Sequence, residues 1–146
     1  MKSIKNILLA MTLILTISSC KKDDDKVVGQ DELHANAKTY INTHFGDATI
    51  TRVEKDREGA LNEYEVYLSN GVKLEFDVNG AIENIESLKQ LPDSVIPVSI
   101  LTYVQANYPD QYIIEWELET NDQEVKLSNG LELKFTKAGE FIRIDQ

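Results

Sequence analysis

Nine residues, Leu68-Ser69-Asn70-Gly71-Val72-Lys73-Leu74-Glu75-Phe76, constrain this chain more than any others, because they set an Asn-Gly turn inside a hydrophobic-polar alternation. That combination is the strongest short-range signal for a β-hairpin. The alternation runs back through Tyr67, Val66 and Glu65 to Tyr64. It also occurs twice. Leu127-Ser128-Asn129-Gly130-Leu131-Glu132-Leu133-Lys134-Phe135 repeats it 59 residues later, and a further Gly (Gly80, Gly139) and Ile (Ile85, Ile144) recur at the same offset.

The alternation fixes the register. A two-residue loop at Asn70-Gly71 would put Val66 and Leu68 on the opposite face from Leu74 and Phe76, which a half-buried sheet does not accept. A three-residue loop, Ser69-Asn70-Gly71, sets Leu68 opposite Val72, Val66 opposite Leu74 and Tyr64 opposite Phe76, so that one face is wholly apolar. Gly71 then supplies the positive φ. In the second copy Leu127 meets Leu131 and Val125 meets Leu133, but Phe135 meets Gln123, a weaker apolar face.

Residues 1–19 read as an export signal: Lys2 and Lys5 form a basic start and Ile7 to Ile17 an apolar core. The core is shorter than the roughly 20 apolar residues a membrane span needs. Cys20, the single cysteine, follows Ile17-Ser18-Ser19 directly. This order resembles the lipobox of bacterial lipoproteins, which implies acylation of Cys20. Residues 20–30, with the charge run Lys21-Lys22-Asp23-Asp24-Asp25-Lys26, read as a flexible tether spanning at most roughly 35 Å. A lysine and acidic residues just after such a cysteine resemble the tag that sends some Gram-negative lipoproteins to the outer face of the outer membrane; a plain solvated spacer is the other reading. Without Lys2 and Lys5, 13 basic residues stand against 25 acidic ones, a charge of −12. So acidic a surface argues against nucleic-acid binding, and leaves the lipid anchor as the expected contact with the membrane.

Two units follow, residues 31–87 and 88–146. In the first, Leu33, Ala37, Tyr40, Ile41 and Phe45 share a stripe and predict a helix over 32–45, capped by Asp31 and stopped at Gly46. A strand over 50–55, the hairpin, and a strand over 81–86 come next, with Ile82 opposite Phe76; Ile85 has the wrong parity for that face, so a bulge or a strand end is expected there. In the second unit, Leu91-Pro92-Asp93-Ser94 opens a helix that Asn107-Tyr108-Pro109 closes. Tyr112, Ile114, Trp116 and Leu118 then alternate along a strand, so Trp116 and Tyr112 read as core, with partner anchors as the other reading. The expected fold is α+β: two tandem repeats, each one helix packed on a four-stranded antiparallel sheet.

Leu91-Pro92, a helix ending in Asn107-Tyr108-Pro109, Leu-Ser-Asn-Gly hairpins and a last strand after Gly139 resemble the PepSY-like domains of exported bacterial lipoproteins. Those domains are described as similar in fold to the β-lactamase inhibitor protein. The resemblance runs over residues 31–146, although the first unit lacks a Leu-Pro before its helix. It implies a non-catalytic module suited to binding or restraining another envelope or extracellular protein. It does not imply inhibition of any lactamase.

The residues themselves offer no phosphate-binding glycine loop followed by a helix, no nucleophile elbow and no thiol outside the lipobox, so no enzyme activity and no cofactor is expected. His34 and His44 lie ten residues apart on a predicted helix, off a common face, and no zinc site is expected. The hairpin register sets Glu65 opposite Glu75 and Glu63 opposite Asp77, whereas the second copy sets Lys126 against Glu132 and Glu124 against Lys134. Glu63, Glu65, Tyr67, Glu75 and Asp77 are therefore the candidate site, for a basic partner surface or a cation, against the plainer reading of a hydrated acidic face. A carbohydrate or small-ligand carrier is the alternative function, and it would want more exposed aromatics than Tyr67.

Overall fold

The computed structural model describes residues 26–55 and 63–145. In chain order the elements are β1 (Lys26–Val27), α1 (Ala35–His44), β2 (Ile50–Lys55), β3 (Tyr64–Leu68), β4 (Lys73–Phe76), β5 (Ile82–Glu86), α2 (Val98–Asn107), β6 (Ile113–Leu118), β7 (Asp122–Leu127), β8 (Glu132–Thr136) and β9 (Phe141–Asp145). The strands form one antiparallel sheet in sequence order.

This corrects the expectation of two helix-on-four-strand repeats: there is one nine-stranded sheet with two short helices. The two copies fuse because a strand edge left alone presents a row of unpaired N–H and C=O groups. The outer edge of β5 meets β6, with Asn84 opposite Glu117, Ile85 opposite Trp116 and Glu86 opposite Glu115. The apolar row then runs unbroken through Val53, Val66, Leu74, Ile85, Trp116, Val125 and Leu133. All seven are buried in one core with the helix residues Ala37, Ile41, Ile100 and Val104. Both helices thus cover the same face, and the other face is left open.

Both hairpins have the expected register. Tyr64 faces Phe76 and Val66 faces Leu74, with a three-residue loop closed by the Leu68 N–H on Val72 O at 2.9 Å. The bulge in β5 falls between its pairings with Glu75 and Phe76, and returns Ile85 to full burial. The repeat extends to packing the alternation does not describe. Tyr40 of α1 meets Phe76 edge-on at 5.9 Å, and Tyr103 of α2 meets Phe135 likewise at 5.4 Å. At the helix starts, Asn36 donates to Asn79 O at 3.0 Å and Ser99 to Ala138 O at 3.3 Å. The glycines after those carbonyls recur because the turns press on the helices: a Cβ on Gly80 would lie 2.8 Å from the Ala37 nitrogen, and one on Gly139 would collide with Ser99.

Element boundaries differ where short turns intervene. Gln30–Glu32 is a 3-10 turn, so α1 starts at Ala35 and is capped by the His34 ring, which accepts from Asn36 N–H at 3.2 Å, and not by Asp31. Asp93–Val95 is another such turn, and Pro97 precedes α2. Sheet pairing begins within the stretch read as tether, with Lys26 opposite Lys55 and Val27 opposite Glu54. A bulge between Ile113 and Glu115 shifts β6, which buries Ile113 and Trp116 and leaves Tyr112 42% exposed. Gln123, the polar intrusion opposite Phe135, is 3% exposed. It accepts from the Trp116 indole at 2.9 Å and donates to Thr136 O at 3.0 Å, so the buried N–H groups find partners.

Candidate functional site

The open face carries the polar half of every alternating strand. Its middle row, read across the register, is Glu54, Glu65, Glu75, Asn84, Glu117, Glu124, Lys134 and Arg143. Five carboxylates, interrupted only by Asn84, thus precede the first basic residue of that row. At the fusion of the two copies the face opens into a cleft of about 420 Å³. Glu63, Glu75 and Glu83 line it from the first copy, and Glu117, Glu119 and Asp122 from the second.

The cleft contains Glu63 and Glu75 of the five residues singled out in the sequence, and the other three lie outside its lining. Glu65 does face Glu75, but Lys73 sits between them, 2.7 Å from Glu75 and 3.6 Å from Glu65, with Glu86 at 3.9 Å. Burial opposes the Lys73 charge, yet these carboxylates outweigh it and hold the ammonium firmly protonated. Tyr67 is occupied as well. Its hydroxyl donates to Glu65 at 2.6 Å and its ring lies 3.8 Å beneath the Arg52 guanidinium. Burial, then the Glu65 contact, pushes the phenol up to about 12. Asp77 is a turn residue, accepting from Ala81 N–H at 2.7 Å and Asn79 N–H at 2.9 Å. Slight burial works against its ionisation, but these N–H groups prevail and hold the carboxyl below its ordinary value.

The residues the sequence reading missed are Glu83, Asn84, Glu117 and Asp122. Among the described residues no basic side chain pairs with Glu83 or Glu117. Burial and then its neighbours Glu119, Glu115, Glu124 and Glu75 raise the Glu117 carboxyl, and burial with Glu63, Asp77 and Glu75 raises Glu83. The Oδ1 atoms of Asn84 and Asp122 are buried and, among the described residues, accept no hydrogen bond, although Lys134 Nζ lies 3.8 Å from the latter. No three acidic or histidine side chains among the described residues are gathered closely enough to cage a metal. The face therefore offers diffuse negative charge over a wide, shallow surface. The break in alternation at Ile85 was legible, with a bulge as one of its two readings. The pairing of β5 with β6, which brings Glu117 to Asn84, was not.

The molecule is thus a two-helix layer on one face of a long antiparallel meander, with the opposite face open and acidic. The chain belongs to the family described as "Putative beta-lactamase-inhibitor-like, PepSY-like", which matches it twice, over residues 19–84 and 62–143. Three solved structures share the fold. A "putative calcium-regulated periplasmic protein" from Bacteroides thetaiotaomicron is 36% identical, with a TM-score of 0.80 over 85% of this chain and 98% of that one. A periplasmic protein from Bacteroides vulgatus is 37% identical, with a TM-score of 0.79 over 86% and 99%. A second Bacteroides vulgatus periplasmic protein, of unknown function, is 28% identical, with a TM-score of 0.79 over 84% and 99%. Among curated proteins none matches the chain. Cys20 and the export signal lie outside the described residues, and no helix among the described residues is long and apolar enough to cross a membrane.

Proposed function

We propose that this chain is a non-catalytic, lipid-anchored envelope module that binds a basic protein surface through the open face of its sheet, at the cleft where β4, β5 and β6 adjoin. The observation that carries the reading is the pair Glu83 and Glu117, held raised beside other carboxylates and paired with no cation among the described residues. Like charges kept together at a cost to the fold are relieved by a cationic partner. The inhibitor-like description of the family and the periplasmic descriptions of its relatives support the class and the compartment. Tyr67, covered by Arg52 and bonded to Glu65, does not offer the free aromatic face a sugar would stack on, which disfavours the carbohydrate carrier.

The test is capture of envelope proteins by the acylated chain and by Glu117→Lys and Glu65→Lys variants. Glu117→Lys is expected to lose most of the captured partner, whereas Glu65→Lys, beside an existing lysine, is expected to lose less. Equal capture by wild type and Glu117→Lys would place the binding surface elsewhere.

A second reading concerns calcium. The Bacteroides thetaiotaomicron relative is described as calcium-regulated, and here the buried Oδ1 atoms of Asn84 and Asp122, the latter 3.8 Å from Lys134 Nζ, add neutral and anionic oxygen to the carboxylates of the cleft. Oxygen ligands of this kind suit a hard cation that keeps several waters. Calorimetric titration with Ca²⁺ checks it: binding by wild type that weakens at least tenfold in Asp122→Asn supports the cleft, and no heat above dilution excludes it.

A further inference from the structure

The two ends of the sheet are finished differently. At one end the edge of β2 is covered: β1 pairs with Lys55 and Glu54, Val28 N–H donates to Val53 O at 3.0 Å, and the Gln30 side chain donates to Ile50 O at 3.3 Å. At the other end β9 pairs with β8 and, among the described residues, with nothing beyond. Alternate residues of an antiparallel strand turn their N–H and C=O groups away from a lone neighbour, so β9 presents open main-chain groups. Ile142 and Ile144 beside them are each 44% exposed.

The internal repeat indicates what such an edge accepts. Ile85 stands 59 residues before Ile144, and the outer edge of its strand takes β6 antiparallel, with Ile85 opposite Trp116 and Ser87 N–H on Ile114 O at 2.9 Å. The charges of β9 then select the occupant. Within the chain Arg143 lies opposite Lys134, and Asp145 opposite Glu132. Like charges directly opposed destabilise a strand pair. Relief comes from the diagonal Lys134 to Asp145 contact at 3.6 Å and from Arg143 to Asp145 at 2.8 Å along the strand. Against itself, by contrast, Arg143-Ile144-Asp145 is complementary: antiparallel pairing about Ile144 sets each Arg143 opposite the partner copy's Asp145, and Ile144 against Ile144.

We propose that β9 pairs with β9 of a second copy about a two-fold axis at Ile144, joining two nine-stranded sheets into one. The pairing buries the exposed Ile144 on the helix-bearing face and forms two ion pairs on the open face. Because the same edge serves both copies and the β2 edge is covered, assembly closes at two chains and does not continue into a fibre.

Sedimentation velocity of the full chain in non-ionic detergent tests this, with Arg143→Asp, Asp145→Arg and the double exchange R143D/D145R. Each single reversal puts like charges across the two-fold axis; against β8 it replaces a like pair with an unlike one but gives up the Arg143 to Asp145 contact along the strand, so the circular dichroism of each variant is compared with wild type. Wild type is expected at twice the chain mass, both single variants at the chain mass with unchanged far-ultraviolet circular dichroism, and the double exchange at twice the mass again. Wild type at the chain mass at the highest attainable concentration would overturn the proposal and leave the edge to a foreign strand. Single variants that remain dimeric, or a double exchange that stays monomeric, would overturn it equally, since the interface would then lie elsewhere.

Discussion

Glycines at the same backbone angle carry different loads depending on what surrounds them. Gly71 (φ +87°) has nothing within 4 Å of where a Cβ would sit, whereas Gly80 (φ +76°) has the Ala37 nitrogen at 2.8 Å. Gly71→Ala is expected to cost about 1 to 2 kcal/mol, the left-handed conformation alone. Gly80→Ala adds the displacement of α1 and should cost more, which chemical denaturation of the two variants compares directly. Gln123 is a second position where surroundings decide. Gln123→Leu leaves the Trp116 indole N–H unpaired in the core and is expected to cost about 1 to 3 kcal/mol. At Glu117 the sign is opposite. Its folded-state carboxyl is raised above the ordinary 4.5, so the charged form disfavours the fold. Stability is therefore lost as pH rises through that raised value and regained on acidification toward 4.5. Glu117→Gln should be more stable than wild type at neutral pH, and its melting temperature should rise less on mild acidification.

The strands and helices behave as parts of one sheet. Leu74, fully buried between Val66 and Ile85, anchors the first copy, and Leu74→Ala is expected to cost about 2 to 5 kcal/mol. Because β5 and β6 are paired, that loss should reach the second copy. Trp116, the only tryptophan, lies across the junction from Ile85 and reports it. Its fluorescence and the far-ultraviolet circular dichroism of Leu74→Ala should move to the same lower midpoint of denaturant. Two separated transitions would mean that the copies unfold independently, despite the shared sheet.

Across the whole molecule, the charge that the chain carries is sorted by position. The second copy pairs Lys126 with Glu132 at 2.7 Å and surrounds Lys134 with Glu119, Asp122, Glu124 and Asp145. Among the described residues Glu117 and Glu83 themselves pair with no such cation, although their neighbours Glu119, Glu124 and Glu75 do. Salt screens exposed charges, so if this face binds a basic protein, affinity should fall steeply with ionic strength. Binding that is indifferent to salt would point to an apolar contact and away from the cleft.

The sequence by itself determined the hairpins, their three-residue loops, the register that buries Tyr64 against Phe76, the break in alternation at Ile85 and the presence of one helix in each copy. These follow from side-chain period and turn chemistry, which act over a few residues. It also exposed the opposition of Glu65 and Glu75. Lys73 stood in the same strand, but its reach to both depends on side-chain direction across the pleat, which alternation does not give. The family, too, was legible in Leu-Pro, Asn-Tyr-Pro and the repeated Leu-Ser-Asn-Gly. Only the tertiary structure decided that two sheets would be one. Alternation assigns each side chain a face but gives no strand a neighbour, and the joining of β5 to β6 depends on two open edges meeting with their apolar rows in line. That pairing, made by residues 29 to 33 positions apart, brings Asn84 beside Glu117 and so forms the cleft.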